Sequence, residues 1–131
     1  MKVLALDYGA ARTGVAVSDA TGTIARPLGV VARAASAAGT SEIAALVREH
    51  GVERVLVGLP LTLRGERGAQ ALETEAFVEA LRGTVDVPVE TYDERFTTVI
   101  AAREGGGADE DARAAAHLLE SYLAASRGHD E

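Results

Sequence analysis

Four apolar residues in a row, Val3-Leu4-Ala5-Leu6, run into Asp7 with no polar face. That is the pattern of a strand buried on both sides of a sheet. Thr13 to Ser18 reads as a second strand. The glycine-containing link from Tyr8 to Arg12 is so short that the pair forms an antiparallel hairpin. A third strand is predicted at Leu28 to Val31. From Glu42 to His50 the positions Ile43, Leu46, Val47 and His50 share a helical face, with Thr40 or Ser41 as N-cap and Gly51 as stop.

Arg54 to Val57 is another buried strand, closed by Gly58-Leu59-Pro60 and followed by a loop carrying Arg64 and Arg67. A helix is predicted from Ala69 to Arg82, with Leu72, Ala76, Ala80 and Leu81 inward and Gly83 closing it. Val87 to Tyr92 is the last strand, and Thr97 to Glu104 a short helix broken by Gly105-Gly106-Gly107. The final helix spans Glu110 to Ser126, leaving a tail at Arg127 to Glu131 that is expected to fray. A hairpin followed by alternating helix and strand predicts an α/β fold, a mixed sheet with helices on both faces.

Length and composition narrow the class. A chain of 131 residues suits one domain, taken here as residues 1–126. With 47% hydrophobic and 25% charged residues it has the make-up of a globular protein. No apolar run is long enough for a bilayer and the N-terminus lacks a signal-peptide layout, so a cytoplasmic protein without a membrane partner is expected. Zero cysteines rule out disulfides and thiolate metal sites. The net charge of −7 argues against strong non-specific binding to nucleic acid and leaves a local site open. Apart from Lys2 every basic residue is arginine, the better bidentate phosphate ligand, although GC-rich coding gives the same skew.

The candidate chemistry lies in acids at element ends. Asp7 closes the first strand, Asp93-Glu94 follow the last one, and Asp111 opens the final helix. On that helix Ala115, Leu118, Leu119, Tyr122 and Leu123 form the apolar stripe; Asp111, four residues before Ala115, shares its face, whereas Asp109 fits an N-cap. Carboxylates from two strand ends and one helix can meet over the carboxyl edge of the sheet, where open α/β sheets bind ligands. Crowded carboxylates repel, and a divalent cation removes that cost. Mg²⁺ or Mn²⁺ suits an all-oxygen set, and two such ions about 4 Å apart cleave phosphodiesters in many nucleases.

Simpler readings stand beside these. Asp7 can bond the turn that follows it, Asp93 and Glu94 can cap a helix at Thr97, and Asp111 can complement its helix dipole. A supporting role suits Asp93 as well as a ligand's does. Arg12, Arg64, Arg67 and Arg95 can be ordinary solvated or paired arginines. His50 and His117 lack partners at metal-ligand spacing and read as structural.

Five blocks in order resemble the YqgF/RuvX family. They are Asp7-x-Gly9-x-x-Arg12-x-Gly14-x-Ala16-x-Ser18, Arg26-Pro27-Leu28, Val57-Gly58-Leu59-Pro60-Leu61, Asp93-Glu94-Arg95-Phe96-Thr97-Thr98, and Asp111-x-x-x-Ala115-Ala116-x-Leu118-Leu119-Glu120-Ser121-Tyr122-Leu123. The resemblance implies a ribonuclease H-like fold with a mixed five-stranded sheet, related to the RuvC junction resolvases, and a metal-dependent nuclease. It implies Asp7, Glu94 and Asp111 as the catalytic, metal-binding acids with Asp93 adjoining. Arg12, Arg95 and the loop from Leu61 to Gly68, with Arg64 and Arg67, would lie near substrate phosphates.

The implied substrates are the 5′ end of the small-subunit ribosomal RNA precursor (pre-16S rRNA), in free RNA or ribosomal particles, or a four-way DNA junction. The implied state is a monomer or a homodimer. Relatives carry a longer lysine-containing loop before the last aspartate, whereas this chain has the short acidic stretch Glu104 to Glu110. That stretch keeps a non-catalytic nucleic-acid or ribosome-assembly module among the alternatives. So does the Asp-x-Gly hairpin for an ATP-binding phosphotransferase, although that class needs two such domains.

Overall fold

The computed structural model describes residues 1–62, 64–96 and 107–129. Its sheet has five strands: β1 (Val3–Asp7), β2 (Arg12–Ser18), β3 (Ala25–Ala32), β4 (Arg54–Leu59) and β5 (Val89–Asp93). Three helices accompany them: α1 (Ala37–His50), α2 (Ala69–Arg82) and α3 (Ala108–His129). The strand order is β3-β2-β1-β4-β5. β1 pairs antiparallel with β2 and β2 antiparallel with β3, while β1–β4 and β4–β5 are parallel. The mixed five-stranded sheet is therefore present, with β1 at its centre.

The pleat of β1 sorts the core into two layers. Leu4 and Leu6 pack with Val15, Val57, Ile43, Val47, Phe77 and Leu81, which places α1 and α2 on one face. Val3 and Ala5 pack with Ala16, Leu56, Ala115, Leu118 and Leu119, which places α3 on the other. Both faces of β1 are covered and all five of its residues are buried, which is why its sequence shows no polar alternation. Among the described residues no helix is long and apolar enough to cross a membrane.

Several boundaries depart from the sequence pattern. α1 begins earlier, capped by Ser36, whose hydroxyl accepts from the Gly39 amide at 3.0 Å; Thr40 lies buried inside the helix. The apolar periodicity starts only at Ile43, so the alanine-rich first turn was invisible to it. On α2 the inward residues are Ala71, Thr74, Phe77, Val78 and Leu81. Of the four expected inward residues only Leu81 is buried; Ala76 and Ala80 face outward, as does Leu72 at 54% exposure. Phe77 decides this rotation, because it stacks on Tyr8 with ring centroids 4.6 Å apart.

β3 is longer than expected and has one extra residue, Leu28, where the partner register jumps between Val15 and Ala16. Pro27 is tolerated there because β3 is an edge strand. β5 starts two residues later than expected, after Pro88. α3 begins at Ala108, which puts Asp109 in its first turn rather than at a cap, and it continues past Ser126 to His129. The expected short helix at 97–104 lies outside the described residues, as does residue 63 of the arginine loop.

The turn between β2 and β3 is organised by Asp19. Its carboxylate accepts from the Thr21 hydroxyl and from the amides of Thr23 (2.8 Å) and Ile24 (3.1 Å). These bonds, the hydroxyl's foremost, lower its pKa to about 2. A pKa depressed in the folded state contributes stability that is complete above the unfolded value, near pH 4, and is lost as pH falls toward 2. Protection of the Thr23 and Ile24 amides, their exchange measured against the intrinsic rate at each pH, should therefore fall between pH 4 and pH 2 in the wild type. In Asp19→Asn that protection should be low and flat across the window. A wild-type profile without the step would contradict the assignment.

Candidate active site

The site grows from the same pleat. Asp7 has the parity of Val3 and Ala5 on β1, so its side chain turns to the α3 face, and it is only 5% exposed. Its neighbour on β2 is Gly14. On β4, Leu6 pairs with Val57, so Gly58 follows on the other flank of Asp7. Gly14 and Gly58 share parity with Ala16 and Leu56, which also face α3. The buried carboxylate thus lies between two positions with no side chain on its face, in a trough along the carboxyl edge of the central strands.

Two further acids enter that trough. The start of α3 packs on Gly14 so closely that a Cβ there would lie 1.9 Å from the backbone oxygen of Asp111. The side chain of Glu94, in the turn after β5, covers Gly58: a Cβ there would lie 2.9 Å from its Cγ and 3.2 Å from its Cδ. Absent side chains at 14 and 58 are therefore what lets Asp111 and Glu94 approach the strand that carries Asp7. All three residues come to one face at one end of the sheet.

They are not closed into a finished cage. Among the described residues no group of three acidic or histidine side chains is arranged to hold a metal ion. Asp111 is instead engaged by Arg12, whose Nε donates to its Oδ2 at 2.6 Å. By donor chemistry the set suits a hard cation: carboxylate oxygens only, one of them deeply buried, in a trough with side-chain-free walls.

Asp93 goes elsewhere. Along β5 Tyr92 packs on the α3 side, so Asp93 turns to the opposite face. There it accepts from the backbone amide, Nε (2.9 Å) and Nη2 (2.6 Å) of Arg95. These bonds from Arg95 hold the Asp93 carboxyl below the usual carboxylate range and raise the guanidinium in turn. A capping and clamping role fits this geometry, and the acid that enters the trough is Glu94.

The arginines expected at phosphates divide. Arg12 is on the rim beside Asp111, with its side chain 47% exposed. Arg95 is tied to Asp93 and lies against Gly65 of the arginine loop, 3.3 Å from the position a Cβ would take there. Arg64 is exposed on the same loop, and Arg67 pairs with Glu75 at 3.2 Å. His117 pairs with Glu120 at 3.0 Å and takes no part in the trough.

Sequence reasoning missed a second feature of this edge. Tyr8, one residue beyond Asp7, donates to Glu73 at 3.3 Å and helps line a cleft of about 230 Å³ with Gln70 and Pro60. Burial, reinforced by Glu73, raises the Tyr8 phenol above its ordinary pKa. Strand alternation at Asp7-Tyr8 was the available signal, since it sends the two side chains to opposite faces.

Comparison with known proteins bears on the family and the fold. Residues 1–125 match the model of a family described as "RuvX: Holliday junction resolvase". A protein of Chloroflexus aurantiacus, named "Putative pre-16S rRNA nuclease", is 43% identical, the match covering 97% of this chain and 89% of that protein. One from Rubrobacter xylanophilus under the same name is 46% identical, over 93% and 91% respectively. Thermus thermophilus RuvC, solved with a Holliday junction substrate, superimposes with a TM-score of 0.67 over 98% of this chain and 96% of that one. At 19% identity that likeness shows the fold, which is ribonuclease H-like. On the family match and on relatives more than 40% identical along nearly its whole length, this chain belongs to the RuvX family.

Proposed function

We propose that this chain, a phosphodiester hydrolase by family, is a divalent-metal-dependent nuclease that trims the 5′ end of pre-16S rRNA in the cytoplasm. Its substrate would be the free precursor or a ribosomal particle that contains it. The observation that carries the metal-dependent reading is the convergence of Asp7, Glu94 and Asp111 on one glycine-walled trough at the sheet's carboxyl edge. The relatives' name supplies the RNA.

Asp7, Glu94 and Asp111 would hold the cation. Mg²⁺ or Mn²⁺ in such a site supplies Lewis acidity to the phosphodiester and to the attacking water. The protein's own part is to present negative oxygens from a rigid strand and two element ends, already desolvated at Asp7. Arg12 neutralises Asp111 and, being half exposed, can exchange that carboxylate for a substrate phosphate. Arg64, Arg67 and Arg95 would flank the path of the phosphate backbone, with Arg95 steadied by Asp93. The flank is modest in charge on a chain of net −7, so recognition leans on the shape of structured RNA more than on general attraction.

Cleavage of a four-way junction is the second reading, favoured by the family description. Symmetric cutting there requires two sites related by a two-fold axis. One experiment separates the readings. A pre-16S 5′ leader, a four-way junction and plain duplexes are incubated with the protein under single-turnover conditions, with and without Mn²⁺, alongside a measured solution mass. Preferred, Mn²⁺-dependent cutting of the leader supports RNA processing. A dimer that cuts the junction in symmetric pairs replaces it with resolution. Binding without cutting of any substrate leaves a non-catalytic assembly module.

Glu94 can be tested through its wall. In Gly58→Ala the atoms nearest the new methyl belong to the side chains of Glu94 and Leu118, at 2.9 and 3.1 Å. The fold should lose about 1 kcal/mol, the lower end of overpacking costs. Cleavage should fall by about tenfold or more, because Glu94 is pushed from its seat. Full activity at the lowered stability would count against Glu94 as a working residue.

A further inference from the structure

The cleft behind Tyr8 has a composition unlike the trough. Among the described residues no lysine, arginine or histidine lines it; its side-chain polar groups are the Gln70 amide, the Glu73 carboxylate and the hydroxyls of Tyr8 and Thr74, the last donating to the Gln70 backbone carbonyl at 2.8 Å, beside the Tyr8 ring and Pro60. A phosphate would meet a carboxylate there and nothing to neutralise it. A neutral heterocycle would meet an aromatic ring, an acceptor and an amide that both donates and accepts, which are the groups that read nucleobases. The cavity of about 230 Å³ is too small for most drug-sized ligands and large enough for one base.

Position gives this composition a use. Asp7 and Tyr8 are consecutive, their Cα atoms about 3.8 Å apart, and the pleat sends them to opposite faces of the same sheet edge. A strand of nucleic acid crossing that edge can set a phosphate over Asp7 on the α3 side and turn the adjoining base down toward α2. The Tyr8 ring is held for this by its stack on Phe77 and by its bond to Glu73. That bond uses one acceptor position of a carboxylate that offers about four.

We propose that the Tyr8–Gln70–Glu73 cleft is a base-binding subsite. It takes one unpaired base next to the scissile phosphate and favours bases with an exocyclic amino group, adenine, cytosine or guanine, over uracil or thymine. This rests on the nuclease reading, and it adds a determinant of where the strand is cut. Glu73 accepts from the amino group, Gln70 contacts the ring edge, and Tyr8 provides the apolar wall. The subsite favours an unpaired nucleotide, because turning a base out of a duplex first costs its pairing and stacking.

The test uses the full chain carrying Asp7→Asn, so that substrates stay intact, with short single-stranded RNA and DNA oligonucleotides. An abasic nucleotide is moved through each position in turn, and binding is followed by fluorescence anisotropy. The expected result is a loss of about tenfold in affinity at a single position and little elsewhere. Uracil or thymine at that position should bind several-fold more weakly than cytosine or adenine. Gln70→Ala and Glu73→Gln, both at exposed helix positions, should flatten the profile while melting like the parent. Equal penalties at all positions, or a profile unchanged in both variants, would overturn the subsite. The RNA and DNA arms show which sugar the subsite accepts. The two proposals fail separately: wild-type chain that cuts nothing while the single-position profile persists removes only the nuclease. Cutting with a flat profile removes only the subsite.

Discussion

Purified Asp7→Asn should remain folded and lose metal-dependent cleavage by at least about a hundredfold, since groups that merely support metal ligands already account for about 10–100-fold. Asp7 is 5% exposed, between Gly14 and Gly58 on the face shared with Asp111 and Glu94. The amide keeps the shape of the side chain and removes its charge, so no cavity opens. Burying a charge costs more than burying a neutral amide, so the melting temperature should hold or rise. Mn²⁺ affinity by calorimetry should fall with the activity, which ties the loss to the cation rather than to folding. Asp93→Asn provides the contrast. Its carboxylate faces the other side and holds Arg95, so cleavage should fall by no more than several-fold. Undiminished cutting by Asp7→Asn would remove the metal mechanism altogether.

Among the described glycines, Gly14→Ala should be the most damaging alanine substitution. The added Cβ would lie 1.9 Å from the backbone oxygen of Asp111 and 2.5 Å from its carbonyl carbon. Backbone cannot swing aside as a side-chain end can, so the start of α3 must lift away from β2. The cost should reach about 3 kcal/mol or more, the upper range for overpacking. For a domain of this size that lowers the melting temperature by roughly 10 °C. Because α3 carries Asp111, any protein that does fold should also bind Mn²⁺ more weakly. In Gly58→Ala the nearest atoms are all side-chain atoms, and the same methyl should cost far less there. A Gly14→Ala protein with wild-type stability would show that α3 does not dock as described.

The elements most legible in the sequence were those whose pattern had one explanation. The unbroken apolar run of β1, the short link to β2 and the stripe on α3 gave hairpin, central strand and final helix with nearly correct limits. α2 was misread because alanine and leucine occur on more than one of its faces. Leu72, Ala76 and Ala80 satisfy a helical period as well as Ala71, Val78 and Leu81 do, and only the stack of Phe77 on Tyr8 selects between them. The N-cap of α1 was misplaced for a related reason. An alanine-rich first turn carries no periodic signal, so Ser36 looked like loop.

The acids show the same division. Asp7, Glu94 and Asp111 could be named from their places at element ends and from the family blocks, because a carboxylate ending a buried strand has few uses. The order of residues also sufficed to assign an α/β sheet with a leading hairpin, since chain links of four or five residues cannot cross a sheet. Which acids share a face was a tertiary matter. Strand parity and register sent Asp93 to Arg95, seated Glu94 over Gly58, and set Asp111 against Gly14 within reach of Arg12. Parity depends on the residue at which pairing begins, and pairing is set by contacts between segments far apart in the chain. Local pattern carries no record of those contacts, so the cleft behind Tyr8 and the ion pair at Asp111 emerged only with the folded sheet.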